Sequence, residues 1–273
     1  MHNLSIGIIG AGNMGLALAS GLRAKVTPGR LAVSDPHPDK RQKIQEMGLT
    51  VHADNDALVT NADLLVLAVK PQGLRALCVA IAPAVQRRQP LIISVAAGVR
   101  TADIDRWLGG GVATVRAMPN TPALINAGVS VLWANDRVTK AQRDAATAVL
   151  AAVSEVFWVA DEGLMDAATA VSGSGPAYLF LLIEALTAAG VRAGLPRELC
   201  AALAAGTAAG AARMAQNAPG DAALLRARVT SPGGTTEQAI KRLLDDGFME
   251  MFARAIQAAC DRSRTLGEQL GAT

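Results

Sequence analysis

A glycine-rich turn near the start of the chain has the spacing that binds phosphate groups. It lies between a short apolar run at residues 4–9 and a helical pattern at residues 13–25. Its residues are Gly10, Ala11, Gly12, Asn13, Met14 and Gly15. In such a turn the glycines permit a tight bend, backbone approach to a pyrophosphate and close helix–strand packing, and the helix N-terminus attracts phosphate. The spacing predicts a dinucleotide site; the alternative is a glycine turn without a ligand.

The end of the second predicted strand, residues 31–34, carries conflicting signals about the cofactor. Asp35 follows the last glycine of the turn by 20 residues, where an acidic residue bonds a ribose 2′-hydroxyl and favours NAD. Ser34 can donate to a 2′-phosphate, which Lys40 or Arg41 could also reach, and this favours NADP. Asp35 could equally cap the turn that follows it. The residues alone leave the choice open.

A second turn, late in the chain, combines proline and glycine before a helical pattern. Its residues are Ser231, Pro232, Gly233, Gly234, Thr235 and Thr236. N–H groups at a helix N-terminus suit a carboxylate. Taken alone, however, this segment is better interpreted as a helix-capping turn with no ligand.

Ordinary proton donors are scarce in the second half of the chain. The three histidines all lie at or before His52, Tyr178 is the one tyrosine, and Lys241 is the one lysine after Lys140. An enzyme whose catalytic residues lie late in this chain must therefore work almost without the usual acids and bases.

The elements that position these residues follow an alternating pattern in the first half. Predicted strands and helices alternate, and several strands are continuous apolar runs typical of a buried parallel sheet. The strands are residues 4–9, 31–34, 63–69, 91–95, 112–118, 129–133 and 156–159; the helices are 13–25, 38–47 and 139–153. The alternation predicts an α/β, Rossmann-type doubly wound sheet over residues 1–160.

Residues 161–273 are predicted to form an all-α domain that dimerises. Residues 165–270 show no convincing strand and contain four to six predicted helices. We expect interruptions at residues 173–176, 190–196, 219–220, 232–234 and 247. Residues 177–183 are apolar on every side, so they are predicted to pack against a second copy of the chain. The alternative is a core helix within one subunit.

Composition narrows the class of protein. The chain has 273 residues, 51% hydrophobic and 18% charged, which excludes a disordered chain. A net charge of +3 without blocks of like charge argues against a nucleic-acid partner. Neither long uncharged run, residues 167–183 or 199–212, resembles the about 20 strongly apolar residues that span a bilayer, and no leader segment is expected.

The three cysteines predict neither a disulfide nor a metal site. Cys78, Cys200 and Cys260 are widely separated in the sequence. This usage fits a reducing compartment, and a cytoplasmic location is expected.

Several further motifs resemble those of the pyrroline-5-carboxylate reductase family. With the glycine turn they span essentially the whole chain in order. They are residues 68–71 (AVKP), 94–98 (SVAAG), 116–122 (RAMPNTP), 171–177 (VSGSGPA) and 229–236 (VTSPGGTT). The resemblance implies reduction of 1-pyrroline-5-carboxylate to L-proline, the last step of proline biosynthesis, by NAD(P)H, with NADPH preferred and NADH possible.

The resemblance also implies roles for individual residues. The implied cofactor contacts, besides the glycine turn, are Ser34, Asn55, Ala68, Val69, Lys70, Pro71, Ala96 and Ala97. The implied substrate contacts are Ser231, Gly233, Gly234, Thr235 and Thr236. The Thr236 hydroxyl is expected near the ring nitrogen. By residue type alone, Lys70 could be an exposed charge and Asn55 a helix cap, while Arg116 and Tyr178 receive no assigned role.

Imine reduction fits the scarcity of acids. A protonated imine already carries its proton, so an enzyme needs mainly to orient the imine, anchor its carboxylate and exclude water. A β-hydroxyacid dehydrogenase would need a lysine on the long helix, where residues 178–183 (YLFLLI) have none. Reduction of another cyclic imino acid and nucleotide sensing without turnover are the remaining alternatives.

Overall fold

The computed structural model describes residues 4–218 and 221–272. The chain forms two compact units. The first runs to Ser174 and resumes at Ala258, and the second is Gly175–Gln257.

An eight-stranded sheet forms the centre of the first unit. Its strands are β1 (Ile6–Ile9), β2 (Leu31–Ser34), β3 (Thr50–His52), β4 (Leu64–Leu67), β5 (Leu91–Ser94), β6 (Thr114–Pro119), β7 (Gly128–Ala134) and β8 (Ser154–Trp158). Their spatial order is β3-β2-β1-β4-β5-β6-β7-β8. The first six strands have the order of dinucleotide-binding folds, in which ligands bind beyond the carboxyl ends of the strands where the order reverses.

Helices cover both faces of this sheet. They are α1 (Asn13–Arg23), α2 (Pro38–Glu46), α3 (Asn55–Asn61), α4 (Pro71–Arg88), α5 (Thr101–Trp107) and α6 (Lys140–Leu150), with a 3₁₀ turn at Thr121–Ile125. One buried cluster includes Leu18 of α1 and Val149 of α6. A second includes Val59 of α3, Val85 of α4 and Ile104 of α5. The predicted doubly wound arrangement is confirmed.

The last two strands, β7 and β8, depart from the predicted parallel sheet and run opposite to the first six. β7 pairs antiparallel with β6, whereas β8 pairs parallel with β7. A parallel return needs a crossover of about a dozen or more residues. The connection between β6 and β7, residues 120–127, holds only a 3₁₀ turn and is too short for one.

The remaining elements are helical, as predicted. They are α7 (Leu164–Ala168), a π-helical turn at Thr169–Gly173, α8 (Gly175–Arg192), α9 (Arg197–Asn217), α10 (Ala222–Arg228), α11 (Thr235–Asp245) and α12 (Phe248–Ala272). The interruptions expected at residues 190–196, 232–234 and 247 occur. At the break expected at residues 173–176, the π-helical turn ends at Gly173 and α8 begins at Gly175, and the Ser174 N–H between them donates to the Thr169 oxygen at 2.9 Å. The break expected at residues 219–220 lies outside the described residues.

α8 presents apolar side chains to solvent within its own unit. Leu179, Phe180 and Leu181 are each more than half exposed. The continuous helical run Leu164–Arg192, 29 residues with a hydropathy of 1.4 in its most apolar window, is long and apolar enough to cross a membrane by those criteria alone. A helix that packs against other protein helices meets the same criteria, so length and composition do not distinguish the two.

Arg116 of β6 forms ion pairs with two carboxylates much later in the chain. Its guanidinium is buried and lies 3.4 Å from a carboxylate oxygen of Glu162 and 3.6 Å from one of Asp166. Glu162 also accepts hydrogen bonds from the N–H and hydroxyl of Thr101, at 2.9 and 3.0 Å. Ser263 of α12 donates to Asp166 at 2.7 Å. Arg116 therefore has a structural role, as the buried positive charge of this network.

Candidate active site

The glycine-rich turn connects β1 to α1 in a conformation that its glycines require. Gly10 has a φ of +104°, in the left-handed region that glycine favours. A β-carbon there would stand 2.6 Å from the main-chain oxygen of Ala68 on the neighbouring strand connection. A β-carbon on Gly15 would collide with the main-chain oxygen of Gly10. These two positions therefore hold the turn tightly between helix and sheet.

The N-terminus of α1 opens onto free space at Gly12. Gly12 is the N-cap and supplies no side chain to the helix N–H groups. A β-carbon on Gly12 would meet no atom within 4 Å. The first N–H groups of a helix lack partners within the helix and attract anions. The open space and the helix end fit a phosphate group, which a side chain at Gly12 would obstruct.

The carboxyl ends of β4 and β5 supply the other segments that resemble a cofactor site. Ala68 donates its N–H to the oxygen of Ile9 at 2.8 Å, which ties this segment to β1. Lys70 is exposed and is the N-cap of α4, which begins at Pro71. After β5, Ala96 is buried and Ala97 is exposed. Since ligands bind at this edge of such sheets, these segments line the expected dinucleotide path.

Ser34, the last residue of β2, lies against Asn55, the first residue of α3. The Ser34 hydroxyl donates to the side-chain oxygen of Asn55 at 2.7 Å. Asn55 is the first residue of α3, but the side chain that caps this helix belongs to Asp54, which accepts from Asp56 N–H. Asn55 is therefore not the helix cap, and its side chain is paired with the serine expected near the adenosine ribose.

Asp35 is buried directly after Ser34 and accepts several hydrogen bonds. Its carboxylate accepts from the N–H groups of Ala11 and His37, at 2.8 and 2.9 Å. Burial raises the pKa of Asp35, whereas hydrogen bonds from the N–H groups of His37 and Ala11 lower it. The His37 side chain and the Lys40 charge lower this pKa further, so it lies below its ordinary value. Asp35 is consequently ionised at neutral pH.

A polar pair that the sequence interpretation did not select lies beyond the carboxyl end of β6. Asn120 donates to the main-chain oxygen of Ser172 at 3.2 Å and accepts from Val129 N–H at 2.8 Å. Within the described part of the chain, the Ser172 hydroxyl is the buried side-chain polar atom without a hydrogen-bond partner. A π turn and an unpaired hydroxyl at the ligand-binding edge both occur at functional sites. The signal in the sequence that could have pointed to this pair was the VSGSGPA motif.

The late proline–glycine turn lies in the second unit and begins α11. Gly233 has a φ of +72°, and Gly234 donates its N–H to the oxygen of Ser231 at 3.0 Å. α11 starts at Thr235 with Gly234 as N-cap and no side-chain cap. The Glu237 carboxylate accepts the N–H of Gly233 at 2.8 Å, so this particular N–H already has a partner. Thr236 is partly exposed in the first turn.

Tyr178 and the three cysteines were also considered from the sequence, and the structure shows the environment of each. Tyr178 is partly buried and packs edge-on against Phe252 with ring centroids 6.4 Å apart. All three cysteines are free, and burial raises the pKa of the Cys78 thiol to about 12. Among residues 4–218 and 221–272, no group of three His, Cys, Asp or Glu side chains could hold a metal ion.

Comparison with known proteins shows which family the chain resembles. A family model described as pyrroline-5-carboxylate reductase dimerisation matches residues 162–266, and one described as NADP oxidoreductase, coenzyme F420-dependent, matches residues 5–98. Pyrroline-5-carboxylate reductase of Pseudomonas aeruginosa is 48% identical over 99% of this chain and 100% of its own length.

Solved structures agree with this match. A pyrroline-5-carboxylate reductase from Coxiella burnetii superposes with a TM-score of 0.93 at 41% identity, covering 97% of this chain and 99% of that one. The Plasmodium falciparum pyrroline carboxylate reductase, solved with NADP bound, gives 0.85 at 30% identity, covering 98% and 99%.

The doubly wound sheet and its glycine turn define an NAD(P)H-dependent oxidoreductase with an added helical dimerisation region. Identity over nearly the full length then decides the family. The chain belongs to the pyrroline-5-carboxylate reductase family.

Proposed function

We propose that this chain transfers hydride from NAD(P)H to the imine carbon of 1-pyrroline-5-carboxylate, which gives L-proline, the last step of proline biosynthesis. The observation that carries the proposal is the proline–glycine turn at the N-terminus of α11, where no side chain caps the helix. The chain that contains this turn is 48% identical to a named reductase. An uncapped helix N-terminus suits the carboxylate of this substrate.

The proposed dinucleotide contacts all lie in the first unit. They are Gly10, Ala11, Gly12, Asn13, Met14, Gly15, Ser34, Asn55, Ala68, Val69, Lys70, Pro71, Ala96 and Ala97. The cofactor, when bound, supplies the hydride. The backbone around Gly12 would bind the pyrophosphate, and the small residues Ala96 and Ala97 would let the nicotinamide approach the main chain.

NADPH is the proposed preferred cofactor, with NADH also accepted. The Ser34 hydroxyl lies at the end of β2, where it donates to Asn55, and Lys40 carries a positive charge close by. The Asp35 carboxylate, which would otherwise favour NAD, is occupied by the backbone of the turn. This arrangement supports recognition of a 2′-phosphate.

The substrate contacts are proposed to be Ser231, Gly233, Gly234, Thr235 and Thr236. The backbone around Gly234–Thr236 would hold the carboxylate through the N–H groups of Thr235 and Thr236, since the Gly234 N–H donates to Ser231. The Thr236 hydroxyl would hydrogen-bond the ring nitrogen and orient the imine. The protonated imine accepts hydride at carbon while its nitrogen keeps its proton, and the product nitrogen is a neutral amine. No strong protein acid is needed, which agrees with the scarcity of such residues.

We further propose that residues 1–160 bind the dinucleotide and that residues 161–273 bind substrate and form the dimer contact. The match to a dimerisation model supports a homo-oligomer. The exposed apolar side chains of α8 support contact through the C-terminal helices. A cytoplasmic enzyme without a nucleic-acid or membrane partner completes the proposal.

Substrate choice tests the function directly. Purified chain should oxidise NADPH with 1-pyrroline-5-carboxylate and give proline in equal amount. The ring-expanded imino acid with one more methylene and a panel of β-hydroxy and keto acids serve as competitors. Faster turnover of the larger imine would shift the assignment to another cyclic imino acid, and faster turnover of the hydroxy or keto acids would shift it to a dehydrogenase. The absence of lysine from α8 argues against the latter.

A further inference from the structure

The carboxylate of Asp35 ties the end of β2 to the glycine-rich turn. Its Oδ2 accepts the N–H of Ala11 at 2.8 Å. The preceding N–H, of Gly10, donates to the main-chain oxygen of Ser34, also at 2.8 Å. Two successive N–H groups of the turn are therefore bound to two successive residues at the strand end.

The same carboxylate is occupied on its other side. Oδ1 accepts the His37 N–H at 2.9 Å and lies 2.8 Å from Nδ1 of the His37 ring. Lys40 Nζ lies 3.6 Å from Oδ2, and the Asp35 side chain is 4% exposed. A ribose hydroxyl would have to displace these groups to reach the carboxylate.

We propose that Asp35 is a positioning residue for the phosphate-binding turn and not a ligand of the cofactor's ribose. A glycine-rich turn has many accessible backbone conformations, and ordering it on binding would cost affinity. A charge-assisted hydrogen bond to Ala11 N–H fixes the turn beforehand and directs the start of α1 toward the pyrophosphate. Lys40 offsets the negative charge beside Ser34, which makes an aspartate compatible with a 2′-phosphate.

The proposal predicts the same loss for both dinucleotides, because NADPH and NADH share the pyrophosphate. A ribose ligand would affect NADH selectively, since NADPH has no free 2′-hydroxyl. The inference rests on the proposed dinucleotide site. If the wild-type chain bound neither dinucleotide, the proposed function itself would be overturned.

The test compares Asp35→Ala and Asp35→Asn with the wild type by titrating NADPH and NADH fluorescence. Asp35→Ala should raise both dissociation constants by a similar factor, about tenfold. Asp35→Asn keeps one acceptor for an N–H and should lose less affinity. Asp39→Asn removes an exposed charge from the first turn of α2 and should change either constant by less than about twofold.

Adenosine 2′-monophosphate lacks the pyrophosphate. Its affinity therefore distinguishes loss of the Asp35–Ala11 hydrogen bond from damage to the adenosine site. Its affinity should be unchanged or slightly higher in Asp35→Asn, because a nearby negative charge has been removed. A loss confined to NADH, equal affinities in all variants, or a loss for adenosine 2′-monophosphate as large as that for NADPH would each overturn the proposal. Should Asp35→Ala not fold, the isosteric Asp35→Asn carries the same comparisons.

Discussion

The main-chain oxygen of Gly10 occupies the space that a β-carbon on Gly15 would need. This oxygen belongs to the turn that precedes α1, so it cannot move without moving the turn. Gly12, between them, faces open space instead. The protein structure therefore requires glycine at positions 10 and 15, whereas glycine at position 12 leaves space open at the helix N-terminus.

Alanine substitutions should separate these reasons. Gly15→Ala should destabilise the chain by about 1–3 kcal/mol, because helix and turn must separate, and should also weaken NADPH binding. Gly12→Ala should leave the midpoint of thermal unfolding nearly unchanged and weaken NADPH binding alone. Differential scanning fluorimetry and fluorescence titration measure the two effects. Normal cofactor affinity in Gly12→Ala would contradict the assigned phosphate contact.

Replacement of Thr236 should affect the chemical step. Thr236→Val keeps the side-chain shape but removes the hydroxyl, and we expect kcat to fall on the order of tenfold to a hundredfold. Affinity for NADPH should stay within about twofold, since the lost hydrogen bond is to the substrate. Thr236→Ser is the matched control and should retain most turnover. Steady-state kinetics with unchanged kcat in the valine variant would remove Thr236 from the mechanism.

Neutralising Glu237 should improve substrate binding. Its carboxylate accepts the N–H of Gly233, where it would repel a substrate carboxylate held at the proposed site. Glu237→Gln should lower KM by about two- to fivefold with kcat nearly constant, and added salt should shrink the difference. Glu250→Gln, an exposed acid in the same unit, should leave KM unchanged. A raised KM would mean that Glu237 supports the turn more than it opposes substrate.

A charge on the exposed apolar face of α8 should dissociate the oligomer. Leu181 is 64% exposed within the described chain, and burial of a glutamate at this position in an interface would be costly. Light scattering should therefore give a dimer or larger assembly for the wild type and a smaller species for Leu181→Glu. Val79→Glu, on the exposed side of α4 in the first unit, should keep the wild-type mass. An unchanged mass for Leu181→Glu would refute contact through this face.

Loss of Arg116 should be much more damaging than loss of a surface arginine. Arg116→Met leaves Glu162 and Asp166 without their buried counter-charge and should cost about 3–5 kcal/mol in the free energy of unfolding. Arg88→Met removes a partly exposed pair with Asp63 and should cost at most about 1 kcal/mol. Urea denaturation compares the two. Similar midpoints would show that the Arg116 network adds little.

Much of the first unit follows from its sequence. Buried parallel strands are continuous apolar runs, and Gly10 and Gly15 are dictated by local backbone geometry. The direction of β7 was missed because alternation of strand and helix predicts parallel pairing, whereas the short connection after β6 decides otherwise. The π turn was missed because glycine and proline ordinarily interrupt helices.

The roles of individual side chains were harder to predict from the sequence. Asp35 offers the same carboxylate to a ribose, a helix end or a neighbouring turn, and its residue type does not choose among them. The Ser34–Asn55 hydrogen bond and the burial of Arg116 against Glu162 also join residues distant in sequence.

The sequence by itself determined the glycine turn, the alternating α/β unit, the helical second part and the family, because backbone conformation and apolar periodicity act over a few neighbouring residues. Only the tertiary structure decided that Asp35 binds the turn, that Asn55 pairs with Ser34 and that Arg116 is held by two carboxylates. These choices depend on which groups folding brings within hydrogen-bonding distance, and no local pattern specifies that.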